Sequence, residues 1–186
     1  MSKSPLKVAV VGMGGIGNTH AKCYKEDELA QLLCVCDLRK DRADEAAEKY
    51  GVEAFYSLKE MLDAHPELDI IDVTTSGLEN GSWHYEPVMQ ALDAGKHVLT
   101  EKPISNNILE AREMVSFAAK KNLYLGCNLN HFFSGPADKA REYIASGKIG
   151  EQIYCINKVG FNGSTVTPCE INKNSRWQMP YSHAKA

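Results

Sequence analysis

Apolar residues recur along this chain in two alternating patterns: short continuous runs, and longer stretches with apolar positions three or four apart. The runs at residues 6–11 (LKVAVV), 31–36 (QLLCVC), 54–56, 69–73 (DIIDV), 96–100 (KHVLT) and 123–127 predict six short buried strands. The intervening stretches predict helices. Residues 18–25 follow a glycine cluster, and Ala43, Ala46, Ala47 and Tyr50 share one face of a second helix that Gly51 ends. Ser57-Leu58-Lys59-Glu60 reads as a capping box that opens a short helix, which His65-Pro66 stops. Pro87 falls in the first turn of a helix running to about Ala94-Gly95. A long helix from about Ser105 carries Ile104, Ile108, Ala111, Val115 and Ala118 as its expected inward stripe.

Strands that alternate with helices pair in parallel, so the expected fold class is α/β, a doubly wound parallel sheet of the Rossmann kind over residues 1–127. From residue 128 the character changes. Residues 136–146 predict a helix with Ala137, Ala140 and Ile144 inward. Residues 151–161 predict a strand with Ile153, Cys155, Val159 and Phe161 on one face, and no period follows. Residues 128–186 are therefore expected to begin a second domain. A strand without sequence neighbours implies either a longer chain or a second copy, hence a homo-oligomer.

Composition narrows the function classes. The 186 residues, 44% hydrophobic and 24% charged, suit one ordinary core and part of another. No apolar run approaches a membrane span, and the first five residues lack a signal-peptide core, so a soluble cytoplasmic protein is expected. A net charge of -3 with interspersed signs gives no reason to expect nucleic acid or a membrane as partner. The six cysteines form no C-x-x-C and accompany no His pair at zinc spacing; they read as reduced and structural, with no metal site.

The chemistry begins at Gly12-Met13-Gly14-Gly15-Ile16-Gly17, a G-x-G-x-x-G where the first strand turns into a helix. Gly12 permits the tight turn, Gly14 lets backbone approach a pyrophosphate, and Gly17 lets helix and strand pack closely. Asp37 ends the next strand about 20 residues beyond Gly17, the offset of a carboxylate that accepts from ribose hydroxyls and repels a 2′-phosphate. NAD is thus expected, with NADP possible because Arg39 and Lys40 follow and could meet that phosphate. At the fifth strand tip, Glu101-Lys102-Pro103 places a lysine where parallel sheets bind ligands. Spacing alone leaves two readings of Lys102 open, an ordinary loop lysine and a proton-transfer group.

The stretches VAVVGMGGIGNTHA, AGKHVLTEKPIS and KAREYIASGKIGEQIY, in this order, resemble the glucose-fructose oxidoreductase/inositol dehydrogenase/MocA (Gfo/Idh/MocA) family of NAD(P)-dependent oxidoreductases. The resemblance implies an enzyme that moves a hydride between nicotinamide and a carbinol carbon of a small-molecule sugar, cyclitol or related polyol. It implies Lys102 as the catalytic lysine, flanked by Glu101 and by a Pro103 whose peptide bond is often cis. Thr74, Thr75 and Ser76 would line the cofactor, His84 would stand near the nicotinamide, and Asn128 would lie close to it. His20 and His97, inside the motif stretches, read as packing residues. The resemblance also implies that residues 128–186 begin an α+β domain with an open, mostly antiparallel sheet, in which an Asp/His pair normally completes the proton-transfer machinery. That pair is missing from these residues, so the chain as given is expected to be inactive alone. A non-catalytic NAD-binding or regulatory module is therefore a rival reading, and an imine or biliverdin-type reductase a third.

Overall fold

The structure is a computed structural model that describes residues 4–75, 83–129 and 132–154. Two compact units divide the chain, Met1–Asn128 and Leu129–Ala186. In the first, strands β1 (Leu6–Val11), β2 (Ala30–Cys36), β3 (Glu53–Phe55), β4 (Ile70–Val73), β5 (His97–Thr100) and β6 (Leu125–Cys127) form one sheet in the order β3-β2-β1-β4-β5-β6. All pairings are parallel. Helices α1 (Gly15–Glu26), α2 (Lys40–Tyr50), α3 (Leu58–Ala64), α4 (Tyr85–Asp93) and α5 (Ile108–Lys120) connect the strands. The strand order reverses between β1 and β4, which is the Rossmann topology.

Residues alternate between the faces of each strand, so both faces need cover. Ala9 and Val11 join Ile71, Val73, Val88, Leu92 and Met114 in one core, while Val10 joins Ala21, Val35 and Ala46 in the other. Cys34 and Cys36 are free and buried, and burial pushes both thiols up to about 12. Among the described residues no helix is long and apolar enough to cross a membrane, and no cluster of His, Cys, Asp or Glu is arranged to hold a metal ion.

Several local expectations are corrected. Helix α1 begins at Gly15, three positions before the predicted start at Asn18, so the glycine motif itself supplies the first turn. Ser57 stands at the N-cap of α3 but makes no side-chain cap hydrogen bond, so the capping box does not close. In α5 the buried residues are Met114 and Ala118, whereas Ile108 is 65% and Val115 55% exposed. Apolar residues surround that helix, and its docking on the sheet, not the period, chooses the phase. In the second unit, α6 (Gly135–Ala145) buries none of its residues, against the expected inward Ala137, Ala140 and Ile144. Residues 151–154 form no strand, and residues 155–161 of the expected strand lie outside the described residues.

Candidate active site

The sheet register brings the candidate residues to one edge. Phe55, Cys36, Val11, Val73, Thr100 and Cys127 are the last paired residues of successive strands. The next residue of five of these strands extends the ladder by one rung. Asp37 N donates to Phe55 O, Gly12 N to Cys36 O, Thr74 N to Val11 O, Glu101 N to Val73 O and Asn128 N to Thr100 O. Gly12, Asp37, Thr74, Glu101 and Asn128 thus line the carboxyl edge because each follows a strand of matched register.

The glycine turn is fixed by close approach. Gly12 has φ +98°, and a Cβ on it would lie 2.8 Å from Thr75 N. A Cβ on Gly17 would sit 2.0 Å from Gly12 O, so only glycine lets α1 pack on that turn. Thr74 Oγ1 donates to Gly12 O at 2.7 Å and tightens the same contact. By contrast, a Cβ at Gly14 or Gly15 would meet nothing within 4 Å. Gly14 caps α1 without a side chain, and the first turn holds no acidic residue. The first amides of a helix lack intrahelical partners, so this open end fits an anion such as a pyrophosphate.

Asp37 couples the second strand to the turn. Its Oδ2 accepts Met13 N–H at 2.7 Å and its Oδ1 accepts Arg39 N–H at 2.8 Å. Met13 contributes through its backbone, its side chain being buried in the core. The Arg39 guanidinium is exposed and bonded to Asp41, which holds the Asp41 carboxyl below the usual range. A cleft of about 720 Å³ opens over these groups, lined by Gly12, Gly14, Gly15, Ile16, Asp37, Arg39, Ser57, Thr74, Thr75, Trp83 and Glu86 among others. Ser76 lies outside the described residues.

Lys102 stands at the β5 tip, one strand beyond β4. Its side chain is 62% exposed, with Nζ 3.9 Å from Glu101 Oε2, and the Lys102-Pro103 peptide is cis. His84 is fully buried. Its Nδ1 lies 2.8 Å from Pro103 O and its Nε2 2.7 Å from Thr75 O, so the ring bridges the loops after β5 and β4. Asn128 Nδ2 donates to Glu101 Oε1 at 2.6 Å and also lies 3.0 Å from His20 Nε2. His20 Nδ1 is 2.8 Å from Asp72 Oδ2, a fully buried carboxylate in β4. That hydrogen bond raises the His20 pKa against the opposing effect of burial, with Glu101 adding to the rise.

Sequence reasoning read His20 as a packing residue and did not single out Asp72, whereas the structure bonds the two side chains to each other. The available signal was the Asp in DIIDV: a carboxylate inside a strand covered on both faces needs a buried partner.

Residues 6–129 match the family model GFO_IDH_MocA, described as "Oxidoreductase family, NAD-binding Rossmann fold". The chain is 33% identical over 152 residues to D-glucoside 3-dehydrogenase of Escherichia coli, covering 81% of this chain and 42% of that protein. It is 33% identical over 146 residues to myo-inositol 2-dehydrogenase of Thermotoga maritima, covering 78% and 42%. A crystal structure of scyllo-inositol dehydrogenase from Lactobacillus casei with bound NAD(H) and scyllo-inositol superposes with a TM-score of 0.71 at 27% identity, covering 79% of this chain and 43% of that one. The chain spans about two fifths of the length of these relatives.

Proposed function

This chain belongs to the Gfo/Idh/MocA oxidoreductase family, and from that membership we propose that it binds NAD at the carboxyl edge of its sheet and serves hydride transfer to or from a carbinol carbon of a sugar, cyclitol or related polyol. The observation that carries the reading is the coupling of the glycine turn to Asp37 through Met13 N–H. Each Asp37 oxygen already accepts one amide and keeps a further lone pair for a ribose hydroxyl. Because Asp41 engages the Arg39 guanidinium, the Asp37 charge faces an incoming 2′-phosphate with Arg39 already bonded elsewhere, which supports NAD over NADP.

In this reading the amides at the start of α1 hold the pyrophosphate, Thr74 and Thr75 border it, and His84 braces the loop that carries Lys102. NAD, when bound, supplies the hydride acceptor. Lys102 Nζ hydrogen-bonds the carbinol hydroxyl and, as the neutral amine, takes its proton as hydride leaves the same carbon; in the reverse direction the ammonium returns that proton to the carbonyl oxygen. Glu101 and Asn128 hold the strand tips beside it. Residues 128–186 are read as part of a substrate and oligomerisation domain, a reading supported by the separate unit Leu129–Ala186. The exposed Ile108, Leu109 and Val115 on α5 support burial against a further protein surface in a homo-oligomer, and the free buried thiols suit a reducing, cytoplasmic setting.

The test uses polyols deuterated at the carbinol carbon, with NAD and the full-length protein. Deuterium appearing at nicotinamide C4 is the expected result. NAD binding without transfer from any of a panel of sugars and cyclitols would replace this reading with the non-catalytic module.

A further inference from the structure

A chain of polar side chains, buried at Asp72 and Glu101 and half-buried at His20 and Asn128, runs behind Lys102, outside the cofactor cleft. Asp72, fully buried in β4, holds His20 of α1 through Nδ1 at 2.8 Å. His20 Nε2 faces Glu101 Oε1 at 3.3 Å, and Asn128 Nδ2 reaches the same oxygen at 2.6 Å. Glu101 Oε2 accepts Lys102 N–H at 3.1 Å. Two donors, Asn128 Nδ2 and Lys102 N–H, thus hold the Glu101 carboxylate with the His20 ring beside it, while the Lys102 side chain stands off at 3.9 Å and is largely exposed.

We propose that His20 is a positioning residue for Lys102: braced by Asp72, it holds and charge-compensates Glu101 so that the lysine is not captured in a tight ion pair and remains free to reach substrate. This rests on the assignment of Lys102 to proton transfer.

The ring's two states differ in what they do to Glu101. With Nδ1–H given to Asp72, a neutral His20 accepts one Asn128 amide hydrogen while Glu101 accepts the other, and the ring then brings no positive charge to Glu101. A cationic His20 instead donates toward Glu101 Oε1. The neighbouring Tyr24 phenol is pushed up by burial and by Asp72, and the Cys127 thiol by burial and Glu101, so both stay uncharged near neutrality. The charges in play are then Asp72 and Glu101 against His20 and Lys102. They balance only while His20 keeps its proton, and its raised pKa extends that condition upward in pH.

The test is the rate at which Lys102 of the full chain is acylated by an amine-directed ester, resolved by peptide mass spectrometry and normalised to the exposed Lys22 of the same sample. His20→Gln should slow Lys102 at least about three-fold, since Glu101 then faces it uncompensated. Adding Glu101→Gln to that variant should restore the rate, which a merely structural role of His20 would not produce. Should His20→Gln fail to fold, the unaltered chain gives the same answer: the Lys102 to Lys22 ratio must fall as pH rises through the His20 titration, followed by NMR of the imidazole ring. A ratio indifferent to His20, or slowed without rescue by Glu101→Gln, overturns the proposal. Because no cofactor or substrate is present, failure of the deuterium-transfer assay leaves this result standing, and the reverse also holds.

Discussion

Asp37 and Met13 are joined at 2.7 Å, carboxylate to backbone amide, so the tip of β2 pins the glycine turn that follows β1. The same carboxylate is assigned to ribose recognition, which makes its loss visible in two ways. Asp37→Ala should lower stability by about 2 kcal/mol, the scale of a charged hydrogen bond left unmade. It should also narrow the preference for NAD over NADP. Denaturant titration and calorimetry with both cofactors read the two effects separately, and an unchanged preference would remove Asp37 from the cofactor site.

Two glycines of one motif should answer differently to the same change. Gly17→Ala puts a Cβ 2.0 Å from Gly12 O, so it should cost about 3 kcal/mol or more and drive much of the protein insoluble. Gly14→Ala meets nothing within 4 Å and sits at extended backbone angles, so thermal stability should hold. Its methyl instead enters the space assigned to the pyrophosphate, and NAD affinity should fall about ten-fold or more. Differential scanning calorimetry and NAD titration separate fold from binding.

The strands and the glycine motif were legible because their signals are local. A six-residue run with five apolar positions that leads into glycine can do little but enter a buried strand and turn, and Leu6–Val11 does so. Asp37 was legible because motif spacing and strand end coincide. The phase of α5 was not, since apolar residues at 108, 109, 114, 115 and 118 satisfy more than one helix face. Only contact with the sheet selects Met114 over Val115. The link between His20 and Asp72 spans 52 positions, and no period within either element announces a partner in the other.

Stability should fall as pH rises through the histidine range. Hydrogen bonding to Asp72 holds the His20 pKa above its unfolded value, and Glu67 and Glu53 outweigh burial to raise that of His65. A raised basic pKa means that the folded state binds the extra proton. The contribution is full below about pH 6.5 and is lost as pH climbs through the folded values. Urea midpoints between about pH 6 and pH 8 check this, below the region near pH 8.5 where unfolded cysteines ionise and add a slope of the same sign. His20→Gln should remove part of the slope and leave the share of His65. A flat profile in the parent chain would contradict the charged network.

Lys102→Met in the full-length protein should leave NAD affinity nearly unchanged, because the cleft over the glycine turn is lined without it. Turnover in the deuterium-transfer assay should drop about 100-fold or more, the scale of one acid–base group. Steady-state kinetics with saturating NAD provides the measurement. Normal turnover would return Lys102 to the status of an ordinary loop lysine.

The central claim is that the carboxyl edge shared by Gly12, Asp37 and Thr74 is an NAD site, and isothermal titration of this 186-residue chain with NAD and with NADP tests it most directly. The expected result is one NAD bound per chain, with NADP weaker and the difference reduced in Asp37→Ala. Absence of binding by either cofactor to the folded chain, or NADP binding as tightly as NAD, would contradict the account.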